Sequence, residues 1–365
     1  MKLALITSFL EQLAPLSYQE DYDNSGLIVG NAEQEITGAV ISLDCTEDVI
    51  DEAIKKGYNL IISHHPIVFK GLKKFSGKSY VERIIIKAIK HDIAIYAIHT
   101  NLDHVHNGVN AKICSVIGLV NCNILSLKPN LLKKLVTYSP LNHAENVRKA
   151  LFEAGAGNIG NYSECSFNTT GTGTFLAAQN TDPFVGNKGK RHNEAEERIE
   201  TVYHANLEKD ILMALHLAHP YEEVAFDLYN LENNYSRVGS GMIGSLEKEM
   251  EEAEFLAYIK DKLKTKVIRY TQLRNKKVKR VAVCGGAGTF LLGRAIAAGA
   301  DFFISADFKY HDFFEAEKRI VIADVGHFES EQFTQELLYE IIVEKFPNFA
   351  LHLTEQYTNP INYLI

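Results

Sequence analysis

Ile61–Ile62–Ser63–His64–His65–Pro66 is the stretch on which the fold reading turns. An apolar, β-branched run ends abruptly at two imidazoles, and Pro66 helps stop the ladder because it has no N–H to donate. Open α/β sheets place their ligands at the carboxyl ends of the strands. Working outward, the same kind of run recurs at Ala39–Leu43, Ile93–Ile98, Val281–Cys284, Phe302–Ser305 and Ile320–Ala323. Helical patterns separate most of them: Glu47–Lys56, Tyr80–His91, Thr289–Ala298 and Glu331–Glu344. Buried strands alternating with helices predict βα units and an α/β fold with mostly parallel strands.

The middle of the chain reads differently. Polar, glycine-containing segments (Gly155–Gly160, Thr169–Gly173) surround a helix-like run at Asp210–His219 and an alternating segment at Val224–Tyr229. Residues 128–236 are therefore read as an inserted α+β module, and residues 1–127 and 237–365 as the two parts of a discontinuous α/β core. After the glycine-rich Val238–Gly244, an acidic helix is expected over Leu246–Leu263, with Glu247–Glu254 as its solvated face. Ser8 with Glu11 matches a helix capping box.

Composition excludes several classes of function. The 365 residues carry a net charge of −8, so nothing draws the chain generally to nucleic acid. The basic run Lys276–Arg280 is read as a solvated turn. Five cysteines, an odd number with no C-x-x-C, suggest neither a disulfide framework nor a thiolate zinc site; a reducing cytoplasm is expected. No signal peptide is evident, and no apolar run approaches the roughly 20 residues of a membrane span.

Three clusters carry chemistry. His64 and His65 follow one strand, and adjacent histidines project differently, so they suit two neighbouring ions as well as one. His99–Thr100–Asn101–Leu102–Asp103 follows another strand and supplies His99 and Asp103. His327 and Glu331, four apart, share a face if a helix starts near 327. Each has a plainer reading: polar loop residues, a helix cap at Asp103, a charged first helical turn at Glu331. Taken together, His64, His65, Asp103, His327 and Glu331 exceed one tetrahedral site with an open position. They fit two divalent ions sharing a carboxylate, of zinc, iron or manganese type, with an acidified water between them. Asp23, Asp307 and His311 are candidate supporting groups. Gly285–Gly288 is read as a tight turn, with anion cradling as the alternative.

The motifs Ser63–Pro66, His99–Asp103, Cys284–Gly288, Ala306–His311 and Gly326–Glu331, in this order, resemble the GTP cyclohydrolase 1 type 2 homolog family, also called Nif-three-like proteins. The resemblance implies a two-lobed α/β core with a dinuclear centre held by His64, His65, Asp103, His327 and Glu331, with Glu331 shared, in a ring-like hexamer. It also implies that the insert is a CutA/PII-like module, carried by Gly157–Tyr162 and His219–Glu223. There, His219 with Glu222 or Glu223 is either a metal group or a structural corner. The expected function is a metal-dependent hydrolase acting on a small, nucleotide-like substrate, with His99 or His311 moving protons. A metal-binding regulatory or chaperone-like scaffold is the alternative, and a GTP cyclohydrolase is the third.

Overall fold

The computed structural model describes residues 1–364. The chain forms two compact units. One joins Met1–Leu127 to the chain from Ser236 onward, and the other is Lys128–Tyr235.

The larger unit is built on two sheets. In the first, the strands run in the order Gly26–Val29, Ala94–Ala97, Leu60–Ser63, Ala39–Ser42, Leu351–Leu353. All its pairs are parallel except the edge pair of Gly26–Val29 with Ala94–Ala97. The three central strands are buried along their whole length, which is why they read as continuous apolar runs without alternation. Two helices cover one face. Glu47–Lys56 starts where the Thr46 hydroxyl accepts from the Val49 N–H and stops at Gly57, whose φ of +70° an L side chain rarely adopts. Tyr80–Lys90 opens where the Ser79 hydroxyl accepts from the Glu82 N–H and donates to the Glu82 carboxylate. Val49, Ile50, Ala53, Ile84, Ile85 and Ala88 bury against Ile61 and Ile95, each large aliphatic contributing about 1.5–3 kcal/mol.

The second sheet departs from the mostly parallel expectation. Its order is Arg269–Tyr270, Val321–Asp324, Phe302–Ala306, Lys277–Ala287, Gly239–Glu251, Leu119–Leu127. Only the two pairs linking Lys277–Ala287, Phe302–Ala306 and Val321–Asp324 are parallel; the flanking pairs are antiparallel. The acidic segment expected to be helical from Leu246 stays extended to Glu251, and the helix covers only Glu252–Lys262. The basic run expected as a turn is also strand. These two corrections have one cause: Glu251 lies opposite Lys277 and the Lys279 ammonium donates to the Glu247 carbonyl, so cross-strand pairing overrides helix propensity. The Ser8–Glu11 capping box does not form either. The helix already runs from Leu3 to Leu13, its first N–H groups taken by the carbonyls of Gln34 and Ala32. The Glu331–Glu344 helix is in fact two, His327–Glu331 and Thr334–Lys345.

The sheets interlock through the chain. Leu119–Leu127, from the first stretch, forms an edge of the second sheet, and Leu351–Leu353, from the last, forms an edge of the first. Neither lobe is complete without a strand from the other flank of the insert.

Lys128–Tyr235 has the order βαββαβ, with strands arranged Ser166–Leu176, Arg191–His204, Leu132–Pro140, Phe226–Asn230, all antiparallel. This is the split-βαβ, ferredoxin-like arrangement. Helices Ala144–Glu153 and Glu208–Ala218 bury Val147, Leu151, Ile211 and Leu215 against Leu135, Ile199 and Tyr203 on one face. Among the described residues no helix is long and apolar enough to cross a membrane.

Candidate metal centre

Four histidines and two carboxylates meet where strands of both sheets end. His64 and His65 follow Leu60–Ser63, and His99 follows Ala94–Ala97. Asp103 lies on the short helix Thr100–His104, and His327 and Glu331 lie one turn apart on His327–Glu331.

Every one of these histidines has its Nδ1 fixed by an acceptor. His64 Nδ1 is 2.8 Å from the Ile98 carbonyl, and because a carbonyl only accepts, that nitrogen carries the proton. His65 Nδ1 is 2.8 Å from Asp44 Oδ1, His99 Nδ1 is 2.8 Å from Asp23 Oδ1, and His327 Nδ1 is 2.6 Å from Asp307 Oδ2. Fixing Nδ1 in this way fixes the ring orientation and leaves Nε2 as the inward-facing ligand atom, a recurrent arrangement around metal-ligating histidines.

The inward atoms form overlapping groups, two of which share Glu331. His64 Nε2 lies 3.7 Å from Asp103 Oδ1 and 3.9 Å from Glu331 Oε1. Glu331 Oε2 lies 3.0 Å from His65 Nε2 and 3.1 Å from His327 Nε2. His64–Asp103–Glu331 and His65–His327–Glu331 are thus two clusters with metal-ligand spacing, and His64, His65 and His99 make a third. His64 Nε2 and Asp103 Oδ1 are buried with no hydrogen-bond partner. With Nδ1 protonated, a neutral His64 turns a lone pair toward carboxylate lone pairs, an arrangement that a bound cation satisfies and a hydrogen bond does not. The donor set, imidazole mixed with carboxylate, suits zinc, iron and manganese alike. The residues present therefore fit a divalent metal.

The electrostatics point the same way. Burial disfavours charge on His65, yet Asp44 and Glu331 outweigh it and push its pKa up to about 10. Burial likewise opposes charge on His327, but Glu331 and Asp307 push it up to about 11. The centre is a place that favours positive charge. Burial raises the Asp103 carboxyl. Glu331, although burial alone would raise it, is held well below its ordinary value chiefly by His327, with His65 adding to the effect. His99 differs: burial lowers its pKa more than Asp23 raises it, so it stays a neutral base.

Glycine lets these groups come close. The strand Lys277–Ala287 does not turn at Gly285–Gly288 as expected. It continues through a register shift between Val283 and Ala287, with Gly286 at φ +60°. A Cβ on Gly286 would run into Glu331 Oε1. The Gly285 N–H donates to Asn110 Oδ1 at 3.0 Å and the Gly286 N–H to Ser330 Oγ at 2.9 Å, so both of these bulge donors are turned to the protein itself.

The five residues expected as ligands are brought together, and so is His99. Asp23 and Asp307 orient His99 and His327. Asp307 does so from a left-handed backbone conformation at φ +58°. His311 is not part of the centre: it is exposed, with its ring against Tyr310 and Phe314. In the smaller unit, His219 spends both nitrogens structurally. Nε2 donates to the Tyr138 carbonyl at 2.8 Å and Nδ1 accepts from the Tyr221 N–H at 3.1 Å, so it is a corner and not a metal group. Sequence reasoning missed Asp44. Its position just past the strand Ala39–Ser42, with Leu43 between, was the available signal, the same kind that marked His64 and His99.

The centre opens into a cleft of about 920 Å³, walled by Phe69, Tyr80, Phe290, Phe328 and Ile361 among others. That is within the size range of small-molecule sites.

The model of the Duf34/NIF3 (NGG1p interacting factor 3) family matches residues 1–360. A Bacillus subtilis protein called GTP cyclohydrolase 1 type 2 homolog is 38% identical over 365 residues, covering 98% of each chain. The crystal structure of a Bacillus cereus protein related to NIF3 superposes with a TM-score of 0.83 at 38% identity, over 100% of this chain and 99% of that one. A Staphylococcus aureus crystal structure does so at 0.80 and 32% identity, over 100% and 99%. Matched from end to end in both sequence and backbone, the chain belongs to the Duf34/NIF3 family.

Proposed function

We propose that His64, His65, Asp103, His327 and Glu331 hold two divalent cations, with Glu331 shared, and that the protein is a metal-dependent hydrolase of small, nucleotide-like molecules. The observation that carries this reading is the pair of buried, unpartnered ligand atoms, His64 Nε2 and Asp103 Oδ1, facing a carboxylate whose other oxygen serves a second histidine pair. Metal ions bound there would acidify a water molecule and polarise the bond to be cleaved.

The chain's own residues do the rest. Asp103 and Glu331 offset the added positive charge in a buried setting. Asp44 and Asp307 keep the His65 and His327 rings in register. His99, held at Nδ1 by Asp23 and kept neutral by burial, presents Nε2 beside the ligand groups as a base able to accept a proton and return it to a leaving group. The apolar walls of the cleft exclude bulk water and strengthen each of these interactions.

On the same footing we propose that Lys128–Tyr235 is a CutA/PII-like module, for which its βαββαβ order is the support, and that the protein assembles as a ring-like hexamer. Light scattering tests the assembly.

The functional test uses protein stripped of metal and reloaded separately with Zn, Mn or Fe. Nucleotides, cyclic amides and phosphoesters are then screened, and GTP is included with formate as the product measured. Turnover that needs both metal and Glu331, and that falls in His99→Asn while metal content is retained, is expected. Metal binding without turnover of any of these would overturn the hydrolase reading and leave a metal-binding scaffold.

A further inference from the structure

We infer that a cleft on the open face of the four-stranded sheet in Lys128–Tyr235 binds an organic monocation, an amine carrying an apolar body.

The helices occupy one face of this sheet; the other presents the side chains that pair as Thr169, Arg198 and Tyr138 across three strands. On that open face the loop after Leu176 and the segment from Tyr221 enclose a cleft of about 610 Å³. Its chemistry is specific. Phe175 and Phe184 lie 6.2 Å and 6.3 Å from the Tyr221 ring, both at tilted angles, so three aromatic rings converge on one spot. The Tyr221 hydroxyl donates to Glu196 Oε1 at 2.8 Å, which places a carboxylate at the rim of that cluster.

Glu196 is the unusual member. It is only 8% exposed, and a buried carboxylate is normally paired with a cation. Among the described residues none pairs with it. Arg198, two positions along on the same face, is 3.0 Å from Glu200 instead, and His192 is 2.7 Å from Glu194. Gly173 leaves the room that the carboxylate occupies, since a Cβ there would collide with Oε2 and Cδ of Glu196. Tyr221 is itself held in place through its N–H on His219 Nδ1.

An acid group bonded to one of three neighbouring aromatic rings, in a cleft on the open sheet face, is the chemistry that recognises an ammonium. The carboxylate meets the charge, the ring faces attract it, and the aromatic walls take the hydrocarbon. A phosphate or carboxylate ligand would meet Glu196 as a like charge.

Three isosteres that differ in charge test this on the full-length protein: phenethylamine, 2-phenylethanol and phenylacetate, titrated by calorimetry and by ligand-observed NMR. Saturable binding of the amine is expected, with the alcohol and the acid weaker by about tenfold or more, as the loss of a charge-assisted contact implies. Glu196→Gln should lower amine affinity by a similar factor with an unchanged melting temperature. If that variant unfolds, Glu196→Asp, which keeps the charge but withdraws it by one methylene, should still weaken binding. Equal binding of the three compounds, no binding of the amine, or an amine affinity indifferent to Glu196 would overturn the inference. So would a sedimentation shift in Glu196→Gln without amine binding by the wild type, because the face would then be an interface between copies.

Discussion

Asp44→Asn removes one charge from the proposed centre and little else. Asparagine keeps an oxygen that can accept from His65 Nδ1, and its amide can meet the Thr358 hydroxyl, now 2.8 Å from Asp44 Oδ2. The ring should therefore stay in place while its ligand nitrogen loses basicity. Replacing a group that orients a metal-bound histidine typically costs about 10–100-fold in metal affinity. Exposure decides where in that range each variant falls, because solvent screens an accessible charge. The Asp44 side chain is 34% exposed and that of Asp307, the equivalent partner of His327, is 52% exposed. Asp44→Asn should thus cost about tenfold, or roughly 1.4 kcal/mol, and Asp307→Asn less. Glu331→Gln, which alters a ligand belonging to both clusters, should cost far more than either. Chelator-stripped protein titrated with metal against a chromophoric competitor measures all three, with thermal melts confirming that each variant folds. Asp307→Asn as damaging as Glu331→Gln, or Asp44→Asn without effect on affinity, would refute the assignment of these carboxylates as partners of ligand histidines.

Gly286→Ala should lower both metal affinity and stability, the latter by more than about 1 kcal/mol, since it adds a Cβ at positive φ against Glu331; melting with and without metal reads both effects. Metal at about 100 times its dissociation constant should stabilise the protein by about 2.7 kcal/mol, and a melting temperature unmoved by a strong chelator would count against resident metal. Glu52→Gln should destabilise by roughly 1–3 kcal/mol at neutral pH, because Glu52 accepts from the Thr354 hydroxyl, the Glu355 N–H and His352. Burial alone would raise the Glu52 pKa, but those bonds lower it, so the stabilisation is complete above the ordinary glutamate range and disappears as pH falls through the depressed value. Denaturant melts of the two proteins should accordingly converge in acid, and a gap that widened there would reverse the sign of the argument.

What the sequence disclosed was local, and what it concealed was pairing. Leu60–Ser63 and Glu47–Lys56 were legible to the residue, because full burial and a threonine-to-glycine span leave their marks within a few positions. The candidate ligands were legible for the same reason, each lying in the short segment that follows an apolar strand. The Gly239–Glu251 strand was not, because its acidic end is held extended by a basic run some thirty residues away. Asp44 was missed because its meaning depends on a ring 21 positions later. His311 was overrated because its four-residue spacing from Asp307 suggested a shared helical face. The left-handed Asp307 and the short 3₁₀ turn Asp312–Ala316 send the chain elsewhere.

The interlocked strands explain why so dispersed a set of residues can hold a metal site. His64, His65, His99 and Asp103 come from the first stretch of chain and His327 and Glu331 from the last, separated by the whole of Lys128–Tyr235. If each stretch made its own sheet, the two halves of the centre could part by rotation of one lobe against the other. Exchange of Leu119–Leu127 and Leu351–Leu353 between the sheets prevents that, since parting them would break the ladder with Gly239–Glu251 on one side and with Ala39–Ser42 on the other. Asp44 adds a finer tie: it accepts from Thr358 just beyond the exchanged C-terminal strand and at the same time holds His65. A cation shared by both stretches would close the same loop a third time, so its binding free energy would be folding free energy. The insert can then be long and separately folded without loosening the site, because rigidity comes from strands on either side of it and not from the segment that joins them.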